Sequence, residues 1–184
     1  MDAIRRDELT DYQTYADNRD QTRPVAMAAK ALRRVRVGEY LTFLFENRDT
    51  IRYQVQEMMR VERIVREADI LHELSTYNEL LGADGKLCAT LLVEIDDPAA
   101  RDDKLQSWLS LNETLYGELP DGTKVRPTYD PRQVGETRLS SVQYLTFDFG
   151  GAAPVAIGCE HPDIATETVL TDAVRAALQS DLDE

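Results

Sequence analysis

The spacing of apolar positions divides the chain into a series of short elements. Thr10, followed three residues later by Gln13, is a capping-box signal that opens a helix over 10–34. Tyr12, Tyr15, Val25, Ala28, Ala29 and Leu32 are its candidate inward residues. Pro24 is expected to kink or restart this helix, because proline lacks the amide donor and clashes with the preceding turn. Residues 39–46 are aromatic and rich in strand formers, so they predict a strand buried on at least one side. Asn47-Arg48-Asp49 turns the chain, and a helix runs from Thr50 to about Val65. Asp69 opens another, with Ile70, Leu74, Tyr77 and Leu81 on one face and Gly82 at its end. Residues 86–95 read as a strand. Asp97-Pro98 supplies the cap and first-turn proline of a helix carrying Leu105, Trp108 and Leu109.

The pattern changes near Glu113. Residues 115–119 and 123–127 flank Pro120-Asp121-Gly122, a hairpin signal. Residues 140–149 alternate, with Val142, Tyr144, Leu145 and Phe147 as apolar positions, and 154–159 and 167–170 predict two further short strands. Thr171 caps a final helix through Leu178, and residues 181–184 are expected to fray. The organisation is one domain over 1–184. An N-terminal helix (10–34) precedes a mixed α/β region (35–110), a β-rich region (111–170) and a C-terminal helix (171–180). Helices crowd the first 110 residues and hairpins follow. That order predicts an α+β fold, a mainly antiparallel sheet with helices packed on it, over a doubly wound parallel sheet.

Composition narrows the setting. Of 184 residues, 42% are hydrophobic and 30% charged, which is the balance of a globular domain. No run approaches the ~20 apolar residues of a membrane span, and the opening segment lacks a signal-peptide core. Two cysteines make no disulfide framework, so the expected compartment is the cytoplasm. The net charge is −13, and it is uneven. Residues 1–70 hold 13 basic and 13 acidic side chains, and the rest holds 8 and 21. Such a surface repels phosphate, which argues against nucleic acid and anionic membrane as partners. Lys30, Arg33, Arg34 and Arg36 form a local basic cluster near the end of the first helix. They either complement its dipole or dock an acidic partner.

Several catalytic motifs begin and then miss a residue that the chemistry needs. His72-Glu-Leu-Ser-Thr76 starts like a zinc-protease helix, but Thr76 stands where the second histidine belongs. The helical wheel places His72 in water, opposite Ile70, Leu74 and Tyr77. Gly82-Ala-Asp-Gly85-Lys86 resembles the end of a phosphate loop, yet Leu80 and Leu87 replace its first glycine and its magnesium-binding hydroxyl. No Gly-x-Gly-x-x-Gly and no nucleophile elbow occurs. Cys159 and His161 share one side of an extended chain and offer two soft ligands, but a four-ligand zinc site would need carboxylates at unpredicted positions. The reading of these residues is a strand-end turn set by Pro162, with no metal and no cofactor.

The helix after Thr50 stands out. At about 100° per residue from Ile51, Val55 falls near 40°, Met58 near −20° and Val65 near −40°, and Glu62 lies at about 20° amid this stripe. A carboxylate there needs a partner, a proton or the rim of the core. In one reading a tyrosine or arginine of the first helix bonds Glu62. In the other, Arg48 and the free amides of the first turn hold an anion or a partner's carboxylate, tuned by Gln56 and Glu62. The candidate binding residues are therefore Arg48, Arg52, Gln56, Glu62 and His161, with no catalytic residue assigned.

The run Phe45-Glu-Asn-Arg-Asp-Thr-Ile-Arg-Tyr-Gln-Val-Gln-Glu-Met-Met-Arg-Val-Glu-Arg-Ile64 resembles the signature of a bacterial family of unknown function. The resemblance continues through Tyr77-Asn78, the strand at 87–94 and Gly158-x-x-His-Pro162. It implies neighbouring genes for rubrerythrin-like proteins and iron–sulfur oxidoreductases, and hence a redox or oxidative-stress setting. Two cysteines cannot hold a cluster by four thiolates, and paired Glu-x-x-His motifs of a di-iron bundle are missing. The expected function is a non-catalytic accessory or adaptor protein of such a system, with a rubrerythrin-like or iron–sulfur oxidoreductase protein as partner. The alternative is an enzyme or small-anion-binding protein using the Arg48–Glu62 helix.

Overall fold

The computed structural model describes all 184 residues. Asp11, one residue beyond the expected Thr10, caps helix α1 (Tyr12–Ala31) by accepting the Gln13 and Thr14 amides. Helix α1 continues through Pro24, which faces solvent, where water can bond the carbonyl left without an amide. Only Tyr15 and Ala26 are buried along it, and together with Arg19 they lie on one face of the wheel. Val25 and Leu32, expected to point inward, lie about 80–100° from that face and are 68% and 43% exposed.

The helix stops earlier than expected because Arg34-Val-Arg-Val alternates with period two. These residues form β1 (Arg34–Val37), which sends Val35 and Val37 into the core. Arg34 and Arg36 of the basic cluster therefore sit on a strand. β2 (Leu41–Phe45) pairs with β1, then comes α2 (Arg48–Glu62) and α3 (Glu67–Asn78). Arg66 precedes α3 as its N-cap and Asp69 lies within the first turn, so the helix begins earlier than expected and ends before Gly82. β3 (Lys86–Val93) leads to α4 (Pro98–Ser107), which Asp97 caps as expected, and to the short α5 (Leu111–Thr114). β4 (Leu115–Glu118) and β5 (Lys124–Val125) form the predicted hairpin. β6 (Val142–Asp148), β7 (Ala156–Cys159), β8 (Thr166–Val169) and α6 (Asp172–Asp183) complete the chain.

The fold is α+β with two antiparallel sheets where the sequence suggested one. The first runs β1-β2-β3-β6 and the second β5-β4-β7-β8, four strands each. Their edges meet at β1 and β8, where the Thr168 hydroxyl donates to the Arg36 carbonyl. Both sheets feed one core of 23 buried residues that includes Phe43, Phe147, Phe149, Trp108 and Ile157. On β6 the inward positions are Gln143, Leu145 and Phe147. Tyr144 points outward, because Leu145 and Phe147 fix the phase of a strictly alternating strand. A smaller core joins the N-terminal segment to α2 and α3 through Ile4, Leu9, Ile51, Val55, Met59, Ile70 and Leu74. The tail is tied down, not frayed. Asp181 of α6 is 3% exposed and bonds Arg33. No helix is long and apolar enough to cross a membrane.

Gly158 of β7 lies under the Tyr116 ring, and a β-carbon there would come within 2.3 Å of the ring. Gly158→Ala is expected to cost about 1–3 kcal/mol by forcing the ring aside, measurable as a lower urea midpoint.

Candidate functional site

Helix α2 begins directly where β2 leaves the core. Asn47 caps it, accepting the Thr50 amide at 3.0 Å, while the Thr50 hydroxyl accepts the Asn47 amide at 3.0 Å. Ile51, Val55 and Met59 form the buried stripe. Gln56 lies beside them, 5% exposed, and holds a single residue by three bonds. Its side-chain oxygen accepts the Thr10 amide (2.9 Å) and hydroxyl (3.1 Å), and its amide donates to the Thr10 carbonyl (3.1 Å). Gln56 thus pins the segment before α1 onto α2.

Arg48 works in the same way. Its guanidinium donates to the carbonyls of Asp2 and Ala3 and to Glu8 Oε2, the last at 2.7 Å. Arg52 pairs with Asp49 at 2.5 Å and lies 3.9 Å from Glu8. Arg48, expected to receive an anion, and Arg52, its neighbouring candidate, therefore face carboxylates and carbonyls of their own chain.

Glu62 is exposed, contrary to the buried position expected for it. It is the last residue of α2. Arg63 follows in the left-handed region at φ 52°, so the helix ends before reaching Val65, which is 69% exposed. The wheel had carried a stripe past the end of the helix. The carboxylate that meets a tyrosine and an arginine of α1 is Glu57, which accepts from Tyr15 Oη (2.8 Å), Arg19 (2.7 and 3.1 Å) and Arg60 (3.0 Å). Burial pushes the Glu57 carboxyl up, but the bonds from Arg19, Tyr15 and Arg60 outweigh it and hold it down to about 2. Burial and the same contact push the Tyr15 phenol up. Glu57 lies about 120° from Ile51 on the wheel, on the side that faces α1. Tyr15 and Arg19, spaced i, i+4 on α1, were the available signal for it.

His161 is apart from this group, on the connection between β7 and β8. It is 5% exposed, edge-on to Trp108 at 6.2 Å, and its Nδ1 accepts the Asp163 amide at 3.3 Å. The Cys159 sulfur accepts the His161 amide at 3.4 Å, which closes a turn. No group of three or more His, Cys, Asp or Glu is placed to hold a metal. His72 is exposed, as the wheel placed it.

Arg52 and Gln56 are brought together in a cleft of about 390 Å³ between α1 and α2, walled by Tyr15, Tyr53 and Val25. Arg48, Glu62 and His161 do not line it. It contains no serine, cysteine or histidine, so it offers threonine hydroxyls and paired charges but no nucleophile–base couple.

No curated protein matches this chain. A crystal structure of a novel protein of unknown function from Burkholderia pseudomallei K96243 is 30% identical to it, and the match covers 99% of this chain and 100% of that one. The two folds superpose with a TM-score of 0.90. A family model described as a protein of unknown function, DUF3501, matches residues 3–182, and the chain belongs to that family.

Proposed function

We propose that this is a non-catalytic accessory protein that docks a protein partner on the outer face of α1. The observation that carries the reading is the uncovered side of that helix. Val25 and Ala28 of α1 and Leu32, its C-cap, are spaced i, i+3 and i+7 and all exposed, with Val25 at the lip of the cleft beside α2, and the 20-residue helix buries only two side chains. Apolar residues in that spacing are the anchors of helix-in-groove recognition, and an uncovered apolar patch marks an interaction surface. The polar groups of α2 support the reading from the other side, since they hold α1 and the N-terminal segment in place. The alternative, an enzyme or anion site at the start of α2, would require Arg48 to leave Glu8 and two carbonyls.

The redox or oxidative-stress setting in the cytoplasm belongs to this proposal, with a rubrerythrin-like or iron–sulfur oxidoreductase protein as the first partner to test. Tagged protein purified from its native host is expected to retain one partner in fixed ratio. Val25→Asp with Leu32→Asp should lose that partner at an unchanged melting temperature. Equal retention by both proteins would refute α1 as the docking face.

A further inference from the structure

A second cleft, of about 410 Å³, opens where β3 and β6 meet the chain after α3 and the segment at 128–133. It lies on the face of the first sheet that turns away from the shared core. Cys88, Thr90 and Thr146 alternate with inward residues and so share this face. Glu46, the residue between β2 and the cap of α2, joins them.

Glu46 is 6% exposed and forms no ion pair. One oxygen accepts from Thr90 Oγ1 at 2.8 Å and the other from Thr50 Oγ1 at 2.5 Å, which leaves each oxygen a further lone pair. Lys30 is the cation whose field reaches it, but the Lys30 ammonium is seated over the Tyr53 ring, 5.0 Å from its centroid. No lysine, arginine or histidine lines the cleft. Of the two other acids there, Asp130 is taken by Arg132 and Glu79 is exposed at the rim. Glu46 thus stands in the cleft wall without an ion pair and with acceptor capacity to spare, and a cation entering the cleft would gain a charge-assisted hydrogen bond there.

Tyr129 and Tyr144 add aromatic surface, which favours an organic cation over a bare one. The donor set agrees. A divalent metal held by side chains needs several converging ligands, and no group of three or more His, Cys, Asp or Glu is placed to supply them. An alkylammonium carries three donors, and Glu46 and the threonine hydroxyls can accept them.

We propose that this cleft binds a small primary amine, its ammonium on Glu46 and its alkyl chain against Tyr129 and Tyr144. The site is separate from the α1 face, so loss of partner capture by the α1 variants leaves amine binding intact.

Calorimetric titration of the full chain with n-butylamine tests this, with 1-butanol as the uncharged molecule of equal length, at neutral pH and constant ionic strength. Saturable binding of the amine and none of the alcohol is expected. Glu46→Gln should weaken the amine by at least about tenfold. Tyr144→Ala should weaken it several-fold with folding intact, because Tyr144 is 48% exposed and bonds Gln133 through its backbone. It decides the matter if Glu46→Gln fails to fold. No saturable binding in the millimolar range, or unchanged affinity in Tyr144→Ala and a folded Glu46→Gln, would overturn the proposal. So would binding that appears only after Lys30→Met, since Lys30 would then already neutralise Glu46.

Discussion

Asp181→Ala is expected to destabilise the protein by about 3–5 kcal/mol, a loss to be read from urea unfolding. Asp181 sits near the end of the chain, yet its side chain is 1% exposed. Arg33 grips it as a fork, Nε to Oδ2 at 2.6 Å and the terminal nitrogen to Oδ1 at 2.7 Å. Asn47 donates to the same Oδ1 at 3.3 Å, and Arg33 also donates to the Ala29 carbonyl at 3.0 Å. One carboxylate thus joins α6, the end of α1 and the cap of α2. Removing it leaves a guanidinium that is 10% exposed without its counter-charge, and that stranded charge is the main cost. The double change Arg33→Met with Asp181→Leu should recover most of the loss, because buried ion pairs are often replaceable by apolar groups of similar volume. A cost below about 1 kcal/mol for Asp181→Ala would show that water reaches Arg33 and screens it.

That pair also shows what could and could not be read along the chain. Signals confined to a few neighbouring residues are legible: the Asp97-Pro98 helix start, the Pro120-Asp121-Gly122 hairpin, the Thr171 cap and the strand expected over 86–95, which ends at Val93. β1 was not, because four residues directly after a helix can extend its pattern or begin a new period of two, and pairing with β2 decides. Arg33 and Asp181 are 148 positions apart, so neither local pattern nor charge counting could join them. Along the sequence Arg33 belongs to a basic cluster and Asp181 to a tail expected to fray.

The candidate site was legible to the same degree. The pattern singles out the helix after Thr50, and of its candidate residues Arg52 and Gln56 line a common cleft while Arg48 and Glu62 do not. The orientation of each group depended on where α1 and the N-terminal segment dock, which no wheel contains. The pattern gives no signal for Glu46, which ends an apolar strand. Its burial comes from β3 and the start of α2, through Thr90 and Thr50.

Glu57 carries the second large effect. Glu57→Ala should cost about 2 kcal/mol, since it leaves Tyr15 and Arg19 of α1 without their acceptor. Glu62→Ala, at an exposed helix end, should stay within about 0.5 kcal/mol. The contrast extends to pH. The folded-state value of Glu57, about 2, lies below its ordinary 4.5, so the folded protein binds fewer protons there than the unfolded chain does. Its contribution is therefore complete above about pH 4.5 and is lost as the pH falls through about 2. Glu57 is 16% exposed and Arg19 30%, so solvent screening reduces this contribution below what the shift alone would give. Urea midpoints measured across that range should fall more gently for Glu57→Gln than for the unaltered protein. Parallel curves would mean that the Tyr15 and Arg19 contacts contribute packing alone, and that the charge of Glu57 does not help to hold α1 on α2.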